Sequence, residues 1–276
     1  MTDYAVNMMQ GLGDTIYLRA FITAAPEDAT LWLKTAWPEL FEDCPRVRCV
    51  RSRTRLRTQA LNEARSQVKW HDRAPKDAVE LSPRYKIGRN PILERLAPHW
   101  PWPAGPMSLP KFEPIIKSDK PIAVVRPVTL RREWLAPARN PDPVAVCQVS
   151  KSLMRSHHVV SVADIDGRYE RLVGELPEAH ERYDHGQLDV KQLLGLIQQA
   201  DMVVGGVGWI VPACLAARVR CWVVLGGCLE WNSPDSLGTD EWMKWIFPDH
   251  PCKCGGRTHD CGDDRKRVSN IPELCS

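Results

Sequence analysis

The chain has 276 residues, 43% of them hydrophobic and 26% charged, with a mean hydropathy of −0.33 and a formal net charge of +3. That length suits one large or two modest domains, and apolar runs such as RCWVVLGG fall far short of the ~18 residues that a membrane span needs. The N-terminus shows no charged region leading into an apolar one. Ten cysteines, scattered through the body and gathered at the end, suit reduced thiols and a metal cluster better than a disulfide framework, so a cytoplasmic protein is expected.

In chain order the first half predicts a strand over 4–9, a helix over 15–25, a strand over 29–33, a short helix over 38–43 and a strand over 47–52. Helical stretches follow near 58–68 and 90–96. The segment HWPWPAGPMSLPKFEP then crowds five prolines into sixteen residues, which excludes regular structure and reads as an interdomain crossing. The second half opens on KPIAVVRP, a buried-strand signature. DPVAVCQVSKSLM follows as a helix, HHVVSVADI as a strand, and DVKQLLGLIQQA as a helix with Asp189 as N-cap. DMVVGG, WIVPACLAA and RCWVVLGG continue as strand, helix and strand. Continuously apolar strands alternating with helices imply parallel sheets covered on both faces. The expected fold is therefore α/β, with two facing Rossmann-like domains over 1–113 and 114–276 and a cleft between them.

The first strand runs into Gly11-Leu12-Gly13-Asp14 before a helix. A dinucleotide fingerprint would need glycine where Ile16 stands, and a triphosphate-binding loop would need Gly-Lys-Ser/Thr; neither is present. What remains is a glycine-rich turn with Asp14 at or beside the helix N-terminus, where it either caps the helix or meets a ligand. From Arg46 to Arg73 nine basic residues face two acidic ones. Within that stretch RSRTRLR would place Arg51, Arg53, Arg55 and Arg57 on one face if extended. Such a ridge is either a solvated edge or a surface for a polyanion.

QGLGDTIYLRAF resembles the N-terminal motif of the heptosyltransferase-type glycosyltransferases. Three further segments resemble that family in the expected order. VVRPVTLRREW looks like the first strand and loop of its C-terminal domain, with Arg132 and Trp134 in place of a lysine–tryptophan pair. DVKQLLGLIQQADMVVGGVGWIVPACLAARVRCWVVLGG looks like the part that receives the sugar nucleotide, although Gly205-Gly206-Val207-Gly208-Trp209 lacks the usual aspartate. HPCKCGGRTHDC and IPELC resemble its cysteine-bearing tail. The resemblance implies a GT-B-like fold and inverting, metal-independent transfer of a sugar from a nucleotide-sugar donor. It implies an acceptor domain over 1–113 and a donor domain over 114–276.

Inverting transfer needs a base for the acceptor hydroxyl and stabilisation of the departing diphosphate. The resemblance makes Asp14 the base, with Gly11 and Gly13 in its turn. Arg126, Arg131 and Arg132 supply cations for the donor, and Gly206, Gly208 and Trp209 form the helix N-terminus that meets its phosphates. The acceptor is then a phosphorylated saccharide, or a hydroxymethylated base in DNA as in phage DNA modification, met by Arg51, Arg53, Arg55 and Arg57. A nucleic-acid-binding protein on a degenerate transferase fold and a sugar-nucleotide epimerase are the alternatives. Asp164-Ile165-Asp166 spells an Asp-x-Asp triplet but reads as a turn. In the tail, Cys252, Cys254, Cys261 and Cys275 either close a tetrahedral zinc site or remain free thiols.

Overall fold

The computed structural model describes residues 2–86, 88–252, 262, 265–269 and 271, and the chain divides into two compact units. Unit 1 comprises residues 1–86 and 90–111, and unit 2 residues 87–89 and 112–276.

Unit 1 is built from β1 (Thr2–Asn7), α1 (Leu12–Thr23), β2 (Ala29–Thr35), a 3₁₀ turn (Pro38–Phe41), β3 (Val47–Arg51), α2 (Arg57–Arg65), β4 (Trp70–His71), β5 (Val79–Leu81) and α3 (Ile92–Leu96). Its strands form one parallel sheet in the order β4-β3-β2-β1-β5. Ile16, Leu18, Phe21 and Ile22 of α1 are essentially inaccessible, as expected of a helix that is apolar nearly all round. Arg19 is the exception in kind: only 2% exposed, it meets both carboxylate oxygens of Asp43 at 2.9 and 2.5 Å and donates to the carbonyls of Leu40 and Ser108. A buried guanidinium is tolerable because these acceptors replace its water.

The proline-rich stretch has no regular secondary structure, as its composition requires, yet it is more than a crossing. Trp100 stacks on Phe21 with ring centroids 5.2 Å apart, and Trp102 donates to the Phe21 carbonyl at 2.7 Å. Both indoles are buried in unit 1. The tryptophans between the prolines close the core over α1.

Unit 2 contains β6 (Ile122–Val125), β7 (Thr129–Arg131), α4 (Pro143–Leu153), β8 (His158–Val162), β9 (Glu170–Leu172), β10 (Glu181–Tyr183), α5 (Val190–Gln199), β11 (Met202–Gly205), α6 (Ile210–Ala217), β12 (Arg220–Val224), α7 (Leu229–Asn232), α8 (Pro234–Leu237) and β13 (Met243–Ile246). Six strands pair in parallel in the order β10-β8-β6-β11-β12-β13, while β7 and β9 form a separate antiparallel pair. Counted from β6, the large sheet reads 3-2-1-4-5-6, the order of a doubly wound fold whose direction reverses between its first and fourth strands. Asp189 caps α5 in a reciprocal box with Gln192, as the sequence predicts. Among the described residues no helix is long and apolar enough to cross a membrane.

Candidate functional site

In unit 1 the sheet reverses direction at β1, whose neighbours are β2 and β5. Crevices at such reversals, beyond the carboxyl ends of the strands, are where open α/β sheets hold ligands. After β1 the chain turns through Gln10, whose side-chain amide donates to the carbonyls of Met8 and Lys34 and accepts from the Ala36 N–H. Trp37 donates its indole N–H to the Gln10 carbonyl at 2.8 Å. These bonds tie the turn to the end of β2.

The N-cap of α1 is Gly11, in an extended conformation, with Gly13 the second residue of the helix and Asp14 the third. Asp14 is thus not the cap. Its carboxylate lies in the first turn, where the helix dipole favours negative charge. Tyr85, in the segment after β5, donates its hydroxyl to Asp14 Oδ1 at 2.6 Å. A β-carbon on Gly11 would overlap Asp14 Oδ2, so only glycine leaves room for the carboxylate to fold back over the turn.

The arginine ridge takes a different form from the expected one. β3 ends at Arg51, Arg53 adopts a left-handed backbone (φ 55°), and Arg57 begins α2. The alternation that would align the four side chains is therefore broken. Arg51 lies over the Trp70 ring at 4.5 Å and donates to the Glu63 carbonyl. The buried Glu63 carboxylate accepts from Ser52 Oγ and from the Arg53 N–H, which pins the loop in its turned form. Arg53 and Arg55 remain exposed on this loop at the carboxyl end of β3.

In unit 2 the reversal falls between β6 and β11, and of the sequence-predicted residues Arg126, Gly206, Gly208 and Trp209 lie there. Arg126 follows β6 and donates its backbone N–H to Val204. A β-carbon on Gly205 would meet Arg126 Cβ at 3.0 Å, and one on Gly206 would meet Pro141 Cδ at 2.8 Å. The two glycines let the 126–141 loop lie directly on the turn after β11. At Gly208 the nearest side-chain atoms are Nη1 of Arg126 and Nη2 of Arg139, 3.7 and 3.9 Å from where a β-carbon would stand. Two guanidinium groups thus flank the turn leading into α6, whose N-cap is Trp209. Gly226 packs so closely on Asn140 that a β-carbon there would overlap the Asn140 carbonyl, and the Gly227 N–H donates to Ala138 at 2.6 Å. The loops after β6, β11 and β12 therefore converge.

Glu170 organises the cations from below. Only 4% exposed, it accepts from Thr129 Oγ1 at 2.5 Å and lies 3.6 Å from Arg126 Nη2 and 3.3 Å from Arg131 Nε. Burial pushes the Arg126 guanidinium below its ordinary range, while Glu170 pulls it back and Arg131 adds to the lowering; an arginine stays charged even so. Asp166 starts β9, since its Oδ1 accepts the backbone N–H groups of Arg168, Tyr169 and Glu170 at 3.0, 2.6 and 3.0 Å. Asp166 thus opens a turn that sets Glu170, as expected for the end of the Asp-x-Asp triplet, whereas Asp164 forms an isolated antiparallel bridge with His185. Arg132 stands apart: it is exposed in a 3₁₀ turn, its N–H bonded to the Tyr169 carbonyl.

Sequence reasoning overlooked Tyr85, Gln10, Arg139 and Glu170. Gln10 opens the glycine-turn motif, where its tie to the end of β2 is invisible from pattern; Tyr85, Arg139 and Glu170 lie in no recognisable motif and reach their sites from loops or strands adjacent only in the folded sheet. Of the proposed metal ligands, Cys254, Cys261 and Cys275 lie outside the described residues. Cys252 is half-buried and packs with Ala138 and Cys228. Among the described residues no cluster of three or more metal-ligating side chains is present.

No known family profile matches the chain, and no curated protein matches it in sequence. Solved structures do match in fold. The iron-containing dodecameric heptosyltransferase TibC of enterotoxigenic Escherichia coli H10407, determined in complex with ADP-D-β-D-heptose, superposes with a TM-score of 0.59 at 13% identity. That match covers 98% of this chain and 66% of TibC, so the chain spans about two thirds of that protein's length. The E. coli ADP-heptose lipopolysaccharide heptosyltransferase II matches with a TM-score of 0.57 at 11% identity, covering 96% of both chains. A family 9 glycosyl transferase from Veillonella parvula DSM 2008 matches with a TM-score of 0.51 at 9% identity, covering 89% of this chain and 85% of the other. With its parallel sheets, the chain has the GT-B-type α/β fold of these heptosyltransferases.

Proposed function

We propose that the chain is a heptosyltransferase-type glycosyltransferase that moves a sugar from a nucleotide-sugar donor to an anionic acceptor, with inversion and without a metal ion in the reaction. The observation that carries this reading is the cationic switch point of unit 2, where Arg126 and Arg139 flank Gly208 beneath α6. A donor diphosphate there would meet two guanidinium groups and the N–H groups of the helix start. Arg126 and Arg139 would stabilise the charge that grows on the leaving diphosphate. The Asp14 carboxylate would take the acceptor hydroxyl's proton as that oxygen bonds to the anomeric carbon. The bond to the diphosphate oxygen breaks in the same step, and its electron pair leaves with the nucleotide.

The fold likeness supports this reading, and ADP-heptose, named with two of the neighbours, is the first donor to try. For the acceptor we favour a phosphorylated saccharide over duplex DNA. Arg53 and Arg55 project from a turned loop, and Arg51 is engaged with Trp70, which suits a few discrete charges better than a continuous backbone. We also read the chain as cytoplasmic from its cysteine usage. By the chemistry of thiolates the four tail cysteines would serve as ligands of a structural zinc; TibC is described as iron-containing, and thiolates accept iron as well. Elemental analysis of purified protein reads both metals, and well under one metal per chain would remove this part.

The deciding experiment is a thermal-shift panel of ADP-heptose and other nucleotide sugars, with and without duplex DNA, followed by transfer assays. Stabilisation by a nucleotide sugar that Arg126→Ala abolishes is the expected result. Stabilisation by DNA alone would replace the reading with a nucleic-acid-binding protein. An altered sugar nucleotide formed without acceptor would replace it with an epimerase.

A further inference from the structure

We propose that Tyr85 is the positioning residue for Asp14: its phenol fixes the carboxylate's orientation and lowers its proton affinity. The inference rests on the reading of Asp14 as the base. The phenol donates to Oδ1 at 2.6 Å, while Oδ2 occupies the space that a β-carbon on Gly11 would fill. Tyr85 reaches Asp14 because β5 lies beside β1 across the sheet's reversal. Its ring is held in turn by Arg95 of α3, whose guanidinium carbon lies 5.0 Å from the ring centroid. Arg95 itself is tied to the chain by a 2.6 Å bond from Nη1 to the Lys86 carbonyl.

A charge-assisted bond of this length favours the ionised carboxylate, and a cation over the ring makes the phenol a better donor. The titratable or charged groups on α1 and the elements packed against it include Tyr17 and Arg19 of the helix itself, Tyr85 after β5, Glu94 and Arg95 of α3, and Glu39 of the 3₁₀ turn; Arg19 is paired with Asp43. Glu39 is occupied by Asn62, at 3.0 Å, and Glu94 is exposed. The tyrosine acts on the carboxylate directly through its hydroxyl, and the arginine acts on it through the ring. A base tuned this way stays ionised down to lower pH, at the expense of some proton-accepting strength.

Tyr85→Phe keeps the ring and the Arg95 stack and removes only the hydroxyl. The test follows the Asp14 carboxyl by ¹³C NMR, assigned with Asp14→Asn, and records the pH profile of transfer from ADP-heptose. The expected result is an Asp14 midpoint higher by about one unit in Tyr85→Phe, with the acid limb of kcat/KM moved up equally. Arg95→Gln, which leaves the hydroxyl in place, should move the midpoint the same way by less. A midpoint unchanged in both variants, in a chain that transfers sugar, overturns the tyrosine's role and leaves Asp14 as base. A shifted midpoint in a chain that transfers nothing upholds the tyrosine's hold on the carboxylate and overturns the reading of Asp14 as base.

Discussion

The glycine turn after β1 and the glycine turn after β11 occupy equivalent places, each at the reversal of a parallel sheet and each leading into a helix. Their chemistry is opposite. The first gathers a carboxylate, a tyrosine and, behind the ring, an arginine; the second gathers two guanidinium groups, one of them paired with a buried glutamate. The backbone supplies the same helix start in both, and side chains from neighbouring loops decide its use. In unit 1 the helix offers its dipole to its own aspartate, whereas α6 has no acidic residue in its first turn. A helix N-terminus left without its own carboxylate keeps its N–H groups for an external anion.

The largest expected effect tests the carboxylate side. Asp14→Asn keeps the side chain's shape, and Asp14 is not the helix cap, so folding should be retained. Turnover should fall by roughly two orders of magnitude or more, with donor binding nearly unchanged. Parallel melting curves and rates check this; equal loss of stability and rate would make Asp14 a structural residue. On the cationic side, Arg126→Ala should weaken donor binding about ten- to a hundredfold, the value of one or two charge-assisted bonds. Titration calorimetry with a nucleotide sugar reads it directly, and an unchanged affinity would move the donor elsewhere.

A smaller contrast concerns acid. Burial pushes the Asp43 carboxyl up, but the hydrogen bond and charge of Arg19 outweigh it and leave it below the usual carboxylate range. In unit 2 the hydrogen bond from Arg220, joined by His157, lowers Asp201 in the same way. A carboxyl lowered on folding contributes stability above its unfolded pKa and loses it as pH falls through the folded value. The melting temperature of Asp43→Asn should therefore lie below wild type at neutral pH, with the gap closing below about pH 4. A gap constant down to strongly acid pH would show that the ion pair is not its source. Smallest of all, Arg53→Ala with Arg55→Ala should leave donor affinity unchanged and weaken a phosphorylated acceptor with a shallow salt dependence. Should duplex DNA bind and the double change lower its log–log salt slope by about 2, DNA becomes the acceptor.

Much was legible in the sequence because it depended on local pattern. Apolar runs between helices made the strands parallel and buried, Asp189 marked the start of α5, and the glycines at 205–208 announced a turn that a loop or ligand approaches closely. The prolines between Trp100 and Lys111 excluded regular structure there, although pattern alone did not reveal that the indoles between them fill the core over α1. The arginine alternation misled for a physical reason: periodicity assumes an extended chain, and the buried Glu63 carboxylate fixes the loop with Arg53 left-handed instead.

The sequence by itself determined which residues could carry charge at the ends of the strands, since Asp14 and Arg126 adjoin strands whose apolar character fixes their place. Only the tertiary structure decided what those residues touch. Tyr85 meets Asp14 across 71 positions of chain because β5 pairs with β1, and Glu170 meets Arg126 because β9 pairs with β7. Strand pairing is a long-range choice made by the whole core, and no local stretch of chain contains it.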